Sequence, residues 1–317
     1  MVAAFLLTAG LLTIVQVKVS LPMLLMERFF PTFGWLEILG LALYAAWITE
    51  KMLDPAKAAQ WRLRLWTIFS VVFFGQLLIG LIGVDDLLMT GKLHLPVPAM
   101  IVAGPLYRAE RFFMPILFVS TVMLVGPAWC SYLCYFGSWD ALAAHRKKHF
   151  RKLSRWRDPA RIGILFGVMV AALAMRQGGI SRLMASISGL AFGLIGVAIM
   201  AILSRKSGRM VHCVQYCPIG LIANLIGKAS PFRIRIKDGC DECLACSLVC
   251  RYDAMHLNNI RNQKPGLTCS LCGDCLRACK GNWIAYKFLG LKPATARALF
   301  LTLIISLHAV FLGVARI

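Results

Sequence analysis

The sequence predicts an α-helical multi-pass membrane protein with a small α+β domain towards its C-terminus, and three observations lead there. Hydrophobic residues make up 59% of the 317 and charged residues only 15%, a balance that no soluble core absorbs. Several uncharged runs reach or approach the roughly 20 residues a helix needs to cross a ~30 Å hydrocarbon layer. All twelve cysteines fall into four tight groups, eight of them packed between Cys240 and Cys279.

The spans follow in order. The first run, Val2 to Met26, is broken only by Lys18 and Pro22, and the second, Phe29 to Thr49, contains Glu37. Neither has the basic start and small-residue cleavage site of a removable signal, so the N-terminus reads as a span. Leu65 to Val84 is a third, free of charge. Leu93 to Tyr107 is apolar but short, and Pro96, Pro98 and Pro105 argue against a continuous helix, so it reads as interfacial or re-entrant. A fourth span starts at Phe112 and ends around Pro127 to Cys130; Ile162 to Met175 is a short fifth, Leu183 to Leu203 a sixth and Ala298 to Ala315 a seventh. The expected domains are 1–229, membrane-embedded with about six spans; 230–290, the cysteine-rich α+β domain; and 291–317, a C-terminal transmembrane helix.

The formal net charge of +21 raises nucleic acid as a partner, but the basic face of a soluble fold that such binding uses is missing. The basic residues crowd instead into short loops: Lys51, Lys57, Arg62 and Arg64; eight Lys or Arg between His145 and Arg161; and Arg205 to Arg209. Positive-inside topology predicts this and puts those loops on the cytoplasmic side of a bacterial inner membrane. The cysteine-rich domain, next to them, is expected on that side too. No nucleophile, acid/base pair or phosphate-cradling glycine loop supports hydrolytic or group-transfer chemistry.

Cys240, Cys243, Cys246 and Cys250, and again Cys269, Cys272, Cys275 and Cys279, each read CxxCxxCxxxC, the bacterial two-cluster ferredoxin spacing. Three thiolates of one loop wrap a 4Fe-4S cluster and the fourth crosses over. Cluster one is therefore expected on Cys240, Cys243, Cys246 and Cys279, and cluster two on Cys269, Cys272, Cys275 and Cys250. The fourth cysteine is expected to start a helix, and Phe232 to Ile236 and Trp283 to Phe288 to form small strands. Structural zinc, which usually pairs two CxxC units over a longer spacer, is the competing reading. Arg251 and Lys280 stand where a proline commonly follows the fourth cysteine.

The remaining four form a second repeat, Cys130-Ser-Tyr-Leu-Cys134 and Cys213-Val-Gln-Tyr-Cys217, each with glycine three residues on, at Gly137 and Gly220. A spacing of four puts two sulfurs on one helical face, and two such pairs at span ends can make a four-thiolate site for a soft metal or another cluster. Buried, reduced cysteines packing at helix ends are the bland alternative. Lys18, Glu37, His94 and His308 are the ionisable residues in apolar surroundings to weigh for quinone contact against snorkelling or helix pairing.

In this order, spans, two CxxxC motifs with glycine, then two CxxCxxCxxxC motifs, the chain resembles the membrane polyferredoxin family around NapH, to which MauN, the C-terminal half of NosR and CcoG are similar. The resemblance covers about residues 60 to 290. Cys217-Pro218 matches the family's pattern and Tyr135 replaces proline in the first motif. It implies an electron-transfer subunit that works between membrane quinol or a cytoplasmic donor and a periplasmic or membrane oxidoreductase, through two 4Fe-4S clusters. The alternative it implies is a copper-handling or maturation factor for a terminal metalloenzyme, with the CxxxC pairs as the working site. An ion-motive ferredoxin complex is a third reading, against which the lack of paired intramembrane carboxylates argues.

Overall fold

The computed structural model describes residues 1–87, 95–110, 112–147, 150, 153 and 156–314. His94 and Ala315 lie outside them. In chain order, α1 (Val2–Lys18), α2 (Leu25–Phe29), α3 (Gly34–Leu53) and α4 (Pro55–Leu81) come first. Next are α5 (Met100–Arg108), α6 (Phe113–Val125), α7 (Tyr135–His145), α8 (Arg157–Gln177), α9 (Arg182–Ile199) and the single turn α10 (Arg205–Ser207). The C-terminal third holds α11 (Pro218–Ile226), β1 (Phe232–Ile236), α12 (Leu257–Arg261), α13 (Asp274–Ala278), β2 (Ile284–Phe288) and α14 (Pro293–Val314).

Among the described residues, five helices are long and apolar enough to cross a membrane: α4; Phe113–Leu133, which prolongs α6 through two tight turns; α8; Arg182–Ser207, in which α9 runs through a π-helical turn at Met200–Ser204 into α10; and α14. The fifth expected span is longer than its apolar run, because α8 takes in both Arg157 and Arg176. α1 is shorter than its run: 17 residues, about 26 Å at 1.5 Å each, end at Lys18, and Val19 is already extended three residues before Pro22. The Leu93 to Tyr107 stretch holds more helix than its prolines suggest, since Pro105 sits inside α5.

Contacts divide the chain into two compact units, Met1–His94 with Ala294–Ile317, and Leu95–Pro293. In the first, Leu12, Leu24 and Ile38 form a buried cluster, with Val310 and Val314 of α14 packed on it. Its polar groups serve the packing. Asp54 caps α4 by accepting from Ala56 N–H at 2.9 Å, ahead of a proline at the first helical position. Arg297 donates to the carbonyls of Met52 and Leu53, at 2.6 and 2.5 Å, at the end of α3.

The second unit carries all twelve cysteines. Small residues let its helices approach closely: a Cβ on Gly193 of α9 would lie 2.6 Å from Val97, and one on Gly196 2.7 Å from His212. β1 and β2 pair antiparallel, with Phe232 opposite Phe288 and Ile236 opposite Ile284, where alternating hydrophobic residues predict strands. One face of this ribbon is buried, and Tyr286 from it donates to Leu271 C=O at 2.6 Å.

Candidate iron-sulfur sites

The CxxCxxCxxxC loops repeat in backbone as well as sequence. Glu242 and Leu244, two and four residues after Cys240, have φ of 51° and 60°; Leu271 and Gly273, at the same offsets from Cys269, have 55° and 79°. Asp253 and Asn282, three residues past each fourth cysteine, are left-handed as well, at 53° and 54°. Each left-handed non-glycine residue costs of order 1–3 kcal/mol. That the same offsets carry the strain in both loops ties it to the curl that turns the thiols inward. Beyond each fourth cysteine the chain makes the same bond: Ala254 N–H donates to Cys250 Sγ at 3.3 Å and Trp283 N–H to Cys279 Sγ at 3.2 Å. The expected helix does not begin there. Cys250 and Cys279 each close a turn, and the left-handed residue three positions on blocks helical propagation.

Cys240, Cys243, Cys246 and Cys279 line one cavity, walled by Ile236, Ile260 and Ile284. Cys275 has Cys272, Cys269 and Cys250 as its electrostatic neighbours. Thiols from the two repeats therefore meet crosswise in space. Among the described residues no three His, Cys, Asp or Glu side chains gather tightly enough to hold a single ion. Four thiols lining one cavity are the ligand set that a 4Fe-4S cluster takes. Burial pushes the Cys269 thiol up to about 12 and that of Cys246 to about 11; such groups stay thiolates only where a metal replaces the proton.

Cys130, Cys134, Cys213 and Cys217 line a second cavity with Trp129, Gly137, His212, Ile219 and Gly220. The two half-sites are built alike, though not on an α-helical face. Each occupies a π-helical turn, Trp129–Leu133 and His212–Tyr216, closed by Cys134 N–H to Trp129 C=O at 2.9 Å and Cys217 N–H to His212 C=O at 2.8 Å. The second cysteine then caps a new helix, α7 or α11. The first backbone N–H groups of each helix, of Phe136 and Gly137 and of Ile219 and Gly220, favour the charged form of the Cys134 and Cys217 thiols, against the effect of burial. A helix N-terminus favours a thiolate there. Glycine closes the motif for want of room: a Cβ on Gly220 would lie 2.7 Å from the Cys213 carbonyl.

Hydrogen bonds join the second cavity to the turn after Cys250 and to the Cys269–Cys272 loop. Tyr252 Oη donates to Cys130 C=O at 2.9 Å, Ser131 Oγ to Ser270 C=O at 2.9 Å and Tyr132 Oη to Cys272 C=O at 3.3 Å. Beneath them, buried Asp253 accepts from Arg157 at 2.7 Å and pairs with Arg209 at 3.3 Å, and Arg209 also donates to Cys250 C=O. Arg209 and Arg251 stack on Phe150 at 4.9 and 5.0 Å.

Comparison with known proteins adds two findings. The 4Fe-4S binding domain family Fer4_5 matches residues 110–152 and 189–237. The chain is also 25% identical, over 64% of its length and 73% of the relative's, to the methylamine utilization ferredoxin-type protein MauN of Paracoccus denitrificans strain Pd 1222. These findings support a MauN/NapH-type polyferredoxin family. No solved structure matches the chain.

The matched segments contain both CxxxC half-sites and stop short of Cys240. The 4Fe-4S description thus falls on the motif whose spacing alone left its metal open. Spacing also overlooked the charged groups around that cavity. Asp140, on α7, accepts from Cys213 N–H at 2.9 Å, and burial pushes its carboxyl up to about 6; burial likewise holds His212 down to about 3, so its imidazole is neutral. Both side chains sit in apolar-looking or basic stretches of sequence. Of the ionisable residues weighed for quinone contact, Glu37 and His308 have other partners: the Glu37 carboxylate accepts from Met26 N–H at 2.8 Å and buried His308 meets Tyr44 Oη at 3.2 Å, while Lys18 is the exposed last residue of α1.

Proposed function

We propose that this chain is a membrane electron-transfer subunit with three 4Fe-4S sites. Cys240, Cys243, Cys246 and Cys279 would hold the first; Cys269, Cys272, Cys275 and Cys250 the second; Cys130, Cys134, Cys213 and Cys217 the third. A 4Fe-4S cluster supplies one-electron transfer when bound. The residues hold each set of sulfurs, exclude water from the second and third, and fix the order of the sites. Tyr252 carries the reading, because its hydroxyl joins the turn after Cys250 directly to the Cys130 carbonyl. First and second sites share their loops, and second and third share this bond, so the second lies between the others.

The basic loops put the ferredoxin loops on the cytoplasmic side of a bacterial inner membrane, with α4, Phe113–Leu133, α8, Arg182–Ser207 and α14 spanning it. The donor in this reading is membrane quinol or a cytoplasmic reductant, and the acceptor a membrane or periplasmic oxidoreductase. Purified protein should carry about twelve irons and as much acid-labile sulfide per chain. Serine at Cys134 and Cys217 should remove about four of each and one reducible EPR signal; zinc in place of iron would end the reading. Copper handling by the CxxxC pairs is the competing function, and the 4Fe-4S family match over both half-sites favours iron. Copper bound by the wild type and lost from the Cys134 and Cys217 variants, with iron unchanged, would reverse that choice.

A further inference from the structure

Arg161 lies in α8, 1% exposed, and its Nε, Nη1 and Nη2 all lack a hydrogen-bond partner. A guanidinium stripped of water with no anion beside it is among the costliest groups a fold can bury. No nearby carboxylate is available to it. Asp158, one turn back, accepts from Arg157 at 2.8 and 3.0 Å, and Asp140 is turned towards the Cys213 N–H. Lipid headgroups cannot reach so buried a side chain. What it faces is the wall of the CxxxC cavity: its leading charge partners are the Cys130 and Cys217 sulfurs, ahead of Asp158, and Nη2 lies 3.7 Å from where a Cβ on Gly220 would stand.

We infer that Arg161 is the fixed counter-charge of the third site, its donors turned to the sulfurs and its positive charge raising that site's reduction potential. The inference rests on the proposed third cluster. Reduction adds one negative charge, taken from an external reductant, to a site that four thiolates already make anionic. A cation held at fixed distance in a low dielectric stabilises the reduced form more than the oxidised form. Arg161 is a positioning residue and takes no part in bond making.

The test is a potentiometric titration of the full-length protein with dithionite, followed by EPR, for wild type, Arg161→Gln and Arg161→Lys, the third-site signal being the one missing from Cys213→Ser. Glutamine should move that signal's reduction equilibrium at least about tenfold towards the oxidised form, about 59 mV for a one-electron couple, and leave the two ferredoxin signals in place. Lysine should recover much of the shift. Loss of the signal in the glutamine variant with retention in the lysine variant would support the counter-charge equally. An unmoved potential in the glutamine variant, or loss of the signal from both variants, overturns the inference. A wild type with about eight irons instead of about twelve would overturn the three-site reading itself, an outcome told apart from the others by iron content before any titration.

Discussion

Gly220 has no space for a side chain, and its position shows how residue identity controls the CxxxC site. Gly220→Ala brings a methyl to 2.7 Å from the Cys213 carbonyl, an overpacking cost of about 1–3 kcal/mol. It should lower iron content by about four per chain while the ferredoxin EPR signals persist. Tyr252→Phe removes only the hydroxyl on the Cys130 carbonyl. Iron content should stay at the wild-type value, and freeze-quench EPR should show the third site reduced more slowly after the second; an unchanged rate would separate that hydrogen bond from the electron route. Spacing marks all twelve cysteines because ligand sets demand short, regular steps. It cannot mark Arg161, which sits at the end of a basic run that positive-inside topology explains without it. Its meaning depends on burial, and burial here comes from α8 packing against α11 and the His212–Tyr216 turn.

At the scale of elements, a π-helical turn followed by a cysteine-capped helix recurs at Trp129–Leu133 with α7 and at His212–Tyr216 with α11. The repeat was legible as CxxxC with a glycine, but its geometry was not. A π turn differs from an α turn by one residue per hydrogen bond, and side-chain patterning over five residues does not separate the two. The strands were legible, since β1 and β2 alternate as strands do. Asp253 clamps the turn after Cys250 to α8 and to the Arg209 turn. Asp253→Asn keeps a residue that accepts the left-handed backbone but leaves the buried Arg209 guanidinium uncompensated and Arg157 with Asp158 alone. Thermal unfolding of the loaded protein, followed by cluster absorbance, should show a loss of about 3–5 kcal/mol; an unchanged midpoint would demote the network to a surface feature.

Across the whole molecule, five apolar helices coexist with twelve cysteines whose access to solvent is graded. Cys243 is exposed, whereas Cys217, Cys246, Cys250 and Cys275 are buried. Oxidants attack accessible sulfur first. On stepwise exposure to air, the site that includes Cys243 should therefore lose iron before the other two, and equal rates of loss would contradict this order of shielding. Segment lengths were the least legible feature. The apolar runs placed the helices, but Pro22 and Val19 cut α1 short, and charged ends carried α8 beyond its run. The split of the CxxxC cavity between two turns also constrains how such a protein comes to be. The ribosome delivers Cys130 and Cys134 well before Cys213 and Cys217, and in the proposed topology α8 and α9 would both be threaded into the bilayer in the meantime. A cofactor cannot be loaded there until that hairpin is in place, so maturation of the site would report, as a late checkpoint, that insertion has succeeded.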